Sequence, residues 1–516
     1  MKKNLLFILS SLIVFEASAQ EPADALRFSW TVPGGTARQQ AIGGAMGSLG
    51  GDLSATFVNP AGLGFYKTGD AVFSPAYRFS KRKNSYFDRT ENNEDQKFDF
   101  GTTGFVLAHG NNSKKIRSSA ISFAFNTTAN FKSDILYRGI NNQSSYSQKF
   151  VEEIRNNRPI DITTAGEKFP FGSSLAFNTY WVDTFATGGS SYDFYSLASR
   201  LVSTGLIQEQ SITNRGGIYE GSLGLAVNMN DKLMLGGSLG VPYLHYSRAS
   251  TFTEADATDN PNNNFDYATV TEDLRTEGLG FNAKLGLIYK PQEYWRLGLA
   301  FHSPTIYSLT DKYETEITTN TESYEGLLTD FSTDYTSGSA SEFNYTLITP
   351  YKFIGSVSYV LREIQDVTKQ KGFLTADVEY INYKASSFHE ETEEGIESDP
   401  TTKPYLISLN KAIDNAYKGA FNFKVGGELK FTTLMVRAGA ALYGNPYKNI
   451  NEEKGNKLNL SGGLGYRNKG LFIDLTYVHS IQKDVHTPYR LESAPYAHAD
   501  IKSTVGNVLM SVGFKF

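Results

Sequence analysis

The chain has 516 residues, no cysteine, a formal net charge of −5 and a mean hydropathy of −0.34. The mild acidity argues against a nucleic-acid binder, which needs a basic patch. The missing cysteine excludes disulfides and thiolate metal sites.

In chain order, the first element is a secretory signal. Lys2 and Lys3 give a positive start, Leu5 to Phe15 is a short apolar stretch, and Ala17-Ser18-Ala19 is an A-x-A cleavage site, so the mature chain is expected to begin at Gln20. No Cys follows the site, which excludes lipoprotein anchoring. Nothing later offers the roughly 18 continuous apolar residues of a helical span. The mature chain is then either secreted and soluble or a β-barrel, because only helices and closed barrels satisfy their backbones in lipid.

Residues 20–69 are Gly- and Ala-rich, with Leu49, Leu53, Phe57, Val58, Leu63 and Phe65 interleaved. The segment reads as a compact plug rather than a disordered tail. Asn59-Pro60-Ala61-Gly62 is expected to form a rigid turn: Pro60 fixes φ, Gly62 permits unusual φ, and Asn59 caps backbone groups.

From residue 70 the period is two. Strands are expected at 70–81, 97–109, 116–127, 215–229, 231–248, 270–290, 293–311, 343–361, 371–389, 418–431, 433–443, 456–468, 470–482 and 500–516, about fourteen in all. Phe421, Phe423, Val425, Leu429 and Phe431 illustrate the apolar parity, with Asn422, Lys424, Glu428 and Lys430 on the other. A β-sandwich shows the same alternation. Three features favour a barrel: a small and polar second parity that suits a lumen, aromatics near strand ends (Tyr289, Trp295, Tyr443, Tyr466, Tyr477), and the connections. Tight turns at 110–115, 228–231, 291–292, 362–370, 431–433 and 468–470 alternate with long polar loops at 82–96, 128–214, 249–269, 312–342, 390–417, 444–455 and 483–499. Short turns on one side and long loops on the other is the layout of a bacterial outer-membrane barrel, and an even strand number puts both termini on the short, periplasmic side. The fold class is therefore an all-β, transmembrane, antiparallel up-and-down barrel, with 1–19 as signal peptide, 20–69 as hatch and 70–516 as barrel. Loop 128–214 is too long to be structureless; Ser147–Asn156 and Tyr192–Thr204 have helical character, which suggests a small extracellular subdomain.

Other constellations read as structural. Gly236-Gly237-Ser238-Leu239-Gly240 matches G-x-S-x-G, but the nucleophile elbow needs a strand-to-helix turn, and this motif lies mid-strand. The histidines (His109, His245, His302, His389, His479, His486, His498) show no metal-ligand spacing. Asp256, Asp259 and Asp266 lack EF-hand spacing and read as a solvated acidic loop, as does Glu390-Glu391-Thr392-Glu393-Glu394. No cofactor is implied. Val512, Phe514 and Phe516 alternate to an aromatic terminus that resembles the signal read by the barrel assembly machinery.

The stretch from Gly35 through Asp52 to Asn59-Pro60-Ala61-Gly62-Leu63 resembles the N-terminal hatch of FadL-type outer-membrane transporters, in a Bacteroidetes-like member. About forty residues carry the motif, and the architecture covers the mature chain. The resemblance implies a fourteen-stranded barrel with a hatch, in the outer membrane of a Gram-negative bacterium. It also implies passive uptake of long-chain fatty acids or related hydrophobic compounds, with ligand leaving sideways through a kinked strand beside the hatch; Gly236-Gly237 is a candidate kink. Outer-membrane lipid surrounds the barrel. The size of loop 128–214 motivates a second expectation, a PorV-like barrel that serves as a protein partner in secretion. A third, a lipid hydrolase, needs a membrane-facing Ser/His pair, and none is legible; the chain is not read as an enzyme.

Overall fold

A computed structural model describes residues 22–30, 34–111, 115–157, 160–188, 191–258, 260–361, 371–391, 402–448 and 455–516. The expected signal segment with its Ala19–Gln20 site, the turn at 362–370, Asp259 and Glu393–Glu394 lie outside them.

The chain begins with short helices, α1 (Pro22–Ser29), α2 (Ala37–Ala41) and α3 (Ala55–Val58), and a 3-10 turn over Pro60–Phe65. The wall opens with β1 (Asp70–Phe73) and β2 (Pro75–Tyr86), β3 (Arg89–Phe100) and β4 (Thr103–Gly110), and β5 (Ile116–Asn130) and β6 (Ser133–Asn141). An insert follows, with α4 (Gln148–Asn156), α5 (Ile162–Glu167), α6 (Ser173–Asn178), β7 (Val182–Gly188) and β8 (Ser191–Ser196). The wall resumes with β9 (Leu206–Met229), β10 (Leu233–Asp256), β11 (Tyr267–Tyr289), β12 (Trp295–His302) and β13 (Ile306–Asn320). A short return strand, β14 (Leu327–Phe331), precedes β15 (Ser341–Ile348), β16 (Lys352–Leu361), β17 (Gly372–Asn382) and β18 (Ser387–Glu390). After α7 (Thr402–Ala416) come β19 (Gly419–Phe431), β20 (Leu434–Tyr443), β21 (Lys457–Asn468), β22 (Leu471–His486) and β23 (Ala499–Lys515). Interrupted strands such as β1/β2, β12/β13 and β15/β16 each make one stave. The staves pair antiparallel in sequence order, and β1 and β2 pair with β23 to close a ring of fourteen.

Burial decides between barrel and sandwich. In β19, Phe421, Phe423, Val425, Leu429 and Phe431 are 52–58 % exposed, whereas Lys424 and Glu428 are 6 % and 9 % exposed. A sandwich buries its apolar parity; here the charged parity is buried and the apolar one faces out, which is stable only against lipid. Phe514 and Phe516 point outward on the last stave, on the parity of Val512. No described helix is long and apolar enough to cross a membrane.

The loop side differs from the sequence expectation. Residues 82–96 are not a loop: β2 and β3 pair through Tyr86↔Arg89, with Phe87 at a positive φ in the turn. Likewise β10 runs to Asp256 and β11 restarts at Tyr267, so most of 249–269 is strand. Past the apolar band the outward parity turns polar (Lys81, Lys83, Thr251, Thr253), so the apolar/polar contrast in the sequence fades, although the inward parity (Asn84, Tyr86, Phe252, Glu254) stays buried. The insert is correspondingly shorter than 128–214, since β5 and β6 carry the chain to Asn141 and β9 begins at Leu206. Within it α4 matches the expected helix, but Tyr192–Thr204 does not: it forms β8, paired with β7, and a 3-10 turn over Ala198–Leu201. The period of Tyr192, Phe194 and Ser196 is two, not 3.6. β10 is paired on both sides through Gly236 and Gly237, so the ladder is unbroken there.

Candidate functional site

Residues 34–65 fill the lumen. The α2 helix rests against β20–β23, and the 3-10 turn against β5, β9, β10 and β11. The Thr36 hydroxyl donates to Asp52 and accepts from Gln39 N–H as the α2 cap. Ser54 donates to Asp52 from both N–H (3.0 Å) and Oγ (2.6 Å). The carboxylate thus ties the starts of two short helices together, consistent with its burial. Arg38 extends the link to the wall: its guanidinium reaches Gly50 and Gly51 carbonyls and Glu428. Glu428 accepts from Arg437 Nε (2.6 Å), and Arg437 donates to Asp474 (2.5 Å).

The turn at 59–62 is a latch. Asn59 Oδ1 accepts from Ala61 N–H (3.1 Å), with Pro60 opening the 3-10 turn. Asn59 Nδ2 donates to the carbonyls of Gly47 (2.5 Å), Leu287 (3.2 Å) and Leu299 (3.3 Å), the last two on β11 and β12 of the wall. His302 Nε2 meets the Val58 carbonyl at 2.8 Å. Gly62 has an ordinary φ; glycine is needed because a Cβ would stand 2.8 Å from the Leu49 carbonyl oxygen and 2.9 Å from Ala55 Cβ. This corrects the expectation of an unusual φ. The wall answers with glycines of its own. A Cβ on Gly236 would lie 2.4 Å from Pro60 C, one on Gly286 1.9 Å from Asn59 Oδ1, and one on Gly298 2.2 Å from the Gly47 oxygen. Ser238 of the G-x-S-x-G match is buried and donates to the Thr56 carbonyl (2.8 Å), a further plug contact.

Above the plug is a cavity of about 1090 Å³, lined by apolar groups such as Leu26, Trp30, Phe131, Ile212 and Leu509 and by polar ones that include Arg78 and Lys457. Neither cation has an ion pair among the described residues. The cavity reaches a seam in the wall, where Asp99, Phe100, Gly101, Asn130 and Phe131 also line it. There β4 pairs with β5 only from Thr103↔Phe125 to Gly110↔Ser118. Beyond that point β3 and the β5/β6 stave share no backbone ladder among the described residues. Side chains bridge them instead: Asn130 Nδ2 donates to Asp99 (2.6 Å), Lys132 to the Gln96 carbonyl (2.5 Å), and Leu136 N–H to Asn93 Oδ1 (3.2 Å). The plug backbone closes the base of the seam. Gly34 N–H donates to the Thr127 carbonyl (2.9 Å), and Thr102 N–H to the Gly35 carbonyl (3.0 Å). Phe98 and Phe100, 77 % and 56 % exposed, flank the seam outside.

Of the residues singled out from sequence, Asp52, Asn59, Pro60, Ala61 and Gly62 meet in the plug, where Gly51 N–H donates to the Gly62 carbonyl (3.3 Å). Val512, Phe514 and Phe516 lie apart from them, on the outer face. Asp256 is occupied by its own loop, through Thr258 and Asn263. The sequence does not show the plug contacts of Gly236, Gly286 and Gly298, the cavity cations or the seam pair Asp99–Asn130; the parity of those glycines opposite outward leucines is the one signal it carries for them.

A closed fourteen-stave ring, blocked by a latched plug and breached on one side by a ladder gap, is a plugged transport barrel, not an open pore. The model of a family described as outer membrane protein transport protein (OMPP1/FadL/TodX) matches residues 174–516, and the chain belongs to this family. The plug precedes the matched stretch. Among solved structures, a Pseudomonas aeruginosa FadL homologue is 14 % identical with a TM-score of 0.54, covering 95 % of this chain and 100 % of its own. The Pseudomonas putida toluene transporter TodX is 11 % identical with a TM-score of 0.49, covering 94 % and 99 %. At 14 % identity, the likeness to the Pseudomonas aeruginosa homologue speaks for the fold alone. Among curated proteins the comparison finds no match.

Proposed function

We propose that this chain is a passive outer-membrane channel for uptake of a hydrophobic small molecule, a long-chain fatty acid or a related amphiphile. The lumen cavity carries the reading. At about 1090 Å³ it exceeds the ~300–1,000 Å³ of ordinary ligand pockets. It offers apolar surface at Leu26, Trp30, Phe131, Ile212 and Leu509 together with unpaired Arg78 and Lys457 for an anionic end, and it abuts both plug and seam. In this reading the long connections face outside, the short turns and both termini face the periplasm, residues 1–19 are removed on export, and Val512, Phe514 and Phe516 are read during barrel assembly. Ligand enters from the outside, rests in the cavity, and leaves through the seam when the Gly34–Gly35 strip moves. The chain has no native cysteine, so a D99C/N130C pair tests the route. Oxidation is expected to stop uptake of a fluorescent fatty acid, and reduction to restore it; uptake unaffected by the crosslink would defeat the lateral exit.

A second reading, a barrel that docks a secreted protein, is favoured by the insert, which packs Trp181, Tyr146 and Phe150 into an aromatic core shared with Phe252 of the wall. Deleting 142–205 separates the two: lost co-purification of a stoichiometric partner with uptake intact supports docking.

A further inference from the structure

We propose that Lys83, Lys483 and Lys502 form a site on the outer wall for the phosphate of an anionic outer-leaflet glycolipid. Lys502 on β23 is in register with Lys83 on β2 and with Lys483 on β22. The three lysines are exposed and stand in one row across three adjacent staves. Directly opposed side chains on such strands lie ~4.5–5.5 Å apart at Cβ, and like charges placed so repel. Among the described residues none of the three has an ion pair. Lys81, one row nearer the apolar band, pairs with Glu94 (2.7 Å), and Asp500, one row further out, is the carboxylate on the same face of β23. The opposite wall treats its outward cations differently. Arg215 meets Asp134, Arg275 meets Glu277 (3.4 Å), and Lys312 meets Glu342 (2.5 Å). An unneutralised row beside neutralised ones points to an anion supplied from outside the chain.

Height identifies the source. Along β23, outward-facing Phe514 and Lys502 are separated by about twelve residues, ~40 Å at ~3.3 Å per residue and roughly 30 Å of height at a ~40° tilt. An apolar band is about 25 Å tall, so the row lies just beyond its far edge, at head-group level. Below the row, Phe79 and Tyr477 stack across β23 at 6.4 Å and 18°. Gly506 permits this, since a Cβ there would stand 2.3 Å from Phe79. Aromatic ledge, then ammonium row, matches a lipid with acyl chains below and a phosphate above. The far edge belongs to the outer leaflet only in the orientation proposed above, on which this inference rests; that leaflet carries phosphorylated glycolipid in a Gram-negative outer membrane.

The test uses the full-length protein in neutral detergent with bisphosphorylated lipid A and its dephosphorylated form, read by native mass spectrometry. Wild type is expected to bind the phosphorylated form about tenfold tighter or more, and K83Q/K483Q/K502Q to lose that preference. R215Q/R275Q/K312Q should bind as wild type, and K502Q alone covers the case in which the triple variant fails to fold. Unchanged binding by the lysine variants overturns the proposal, as does displacement of the lipid by millimolar inorganic phosphate, which would mark a free-phosphate site. Orientation is read separately, by labelling A186C in intact cells. Protection of that cysteine defeats the orientation while leaving the detergent measurement standing.

Discussion

Asn59 donates through its side-chain nitrogen to the carbonyl oxygen of Leu287 across 3.2 Å, and Leu287 is the register partner of Leu299, whose carbonyl takes the same nitrogen at 3.3 Å. One plug side chain therefore bridges two neighbouring staves. Asn59→Ala removes these bonds and is expected to loosen the plug by about 1–3 kcal/mol while the ring stays closed. Asn59→Asp should do worse, because a carboxylate oxygen would then face three carbonyl oxygens. Hydrogen exchange over 45–65 and ion conductance in planar bilayers should both rise in the order wild type, Ala, Asp.

The two glycines of β10 give a sharper contrast. Gly236→Ala drives a Cβ into the Pro60–Ala61 backbone, which no rotamer change relieves, whereas the nearest atom to a Gly237 Cβ is 3.5 Å away. Gly236→Ala should displace the plug and raise conductance; Gly237→Ala should behave as wild type. Equal effects from both would show that the turn is not held against the wall.

Arg437 has a fully buried side chain between Glu428 and Asp474. Arg437→Leu leaves two buried carboxylates short of a cation, and breaking such a network typically costs about 3–5 kcal/mol. Thermal unfolding of the refolded barrel in detergent should show the loss, and E428Q/D474N added to R437L should recover part of it. A milder loss without that recovery would mean that water screens the site.

Tyr489, in the connection between β22 and β23, fastens the insert to the wall. Its hydroxyl accepts from Asn141 (2.9 Å) and Gln208 (3.1 Å) and lies 3.1 Å from the Ser144 carbonyl. Burial, with Glu254 nearby, pushes its phenol well above the ordinary tyrosine range. An acid whose folded pKa is raised stabilises the fold fully below its unfolded pKa, about 10, and loses that contribution as pH climbs through the folded value. Proteolysis of the insert should accelerate above about pH 10 in wild type. Tyr489→Phe should be cleaved faster at neutral pH, with a flatter alkaline rise.

Much of the wall was legible because its cause is local. Successive side chains in a strand point to opposite faces, so Phe421, Phe423 and Val425 against Asn422 and Lys424 announce a two-faced sheet, and tight turns alternating with long connections announce fourteen staves. The apolar/polar contrast weakens where the outward parity turns polar, as in Lys81, Lys83 and Ser85, so the outer ends of β2 and β3 over 82–96 are not legible as strand although Arg82, Asn84 and Tyr86 are buried. Over Tyr192–Thr204 the period of two spans too few residues to stand out from a helix. The turn Asn59 to Gly62 was legible as a turn, since Pro60 and Asn59 act on their neighbours. Its partners were not: Leu287, Leu299 and Gly236 lie far along the chain, and closure of the ring brings them to it. For the same reason Asp99 meets Asn130, and Lys83 comes into register with Lys502. Residue order alone thus determined that this chain is a lipid-facing barrel with a plug, because strand period and turn chemistry act between neighbours. Only the tertiary structure decided where the plug is latched, where the wall is breached and which cations stand unpaired, because those depend on residues that come together only when the ring closes.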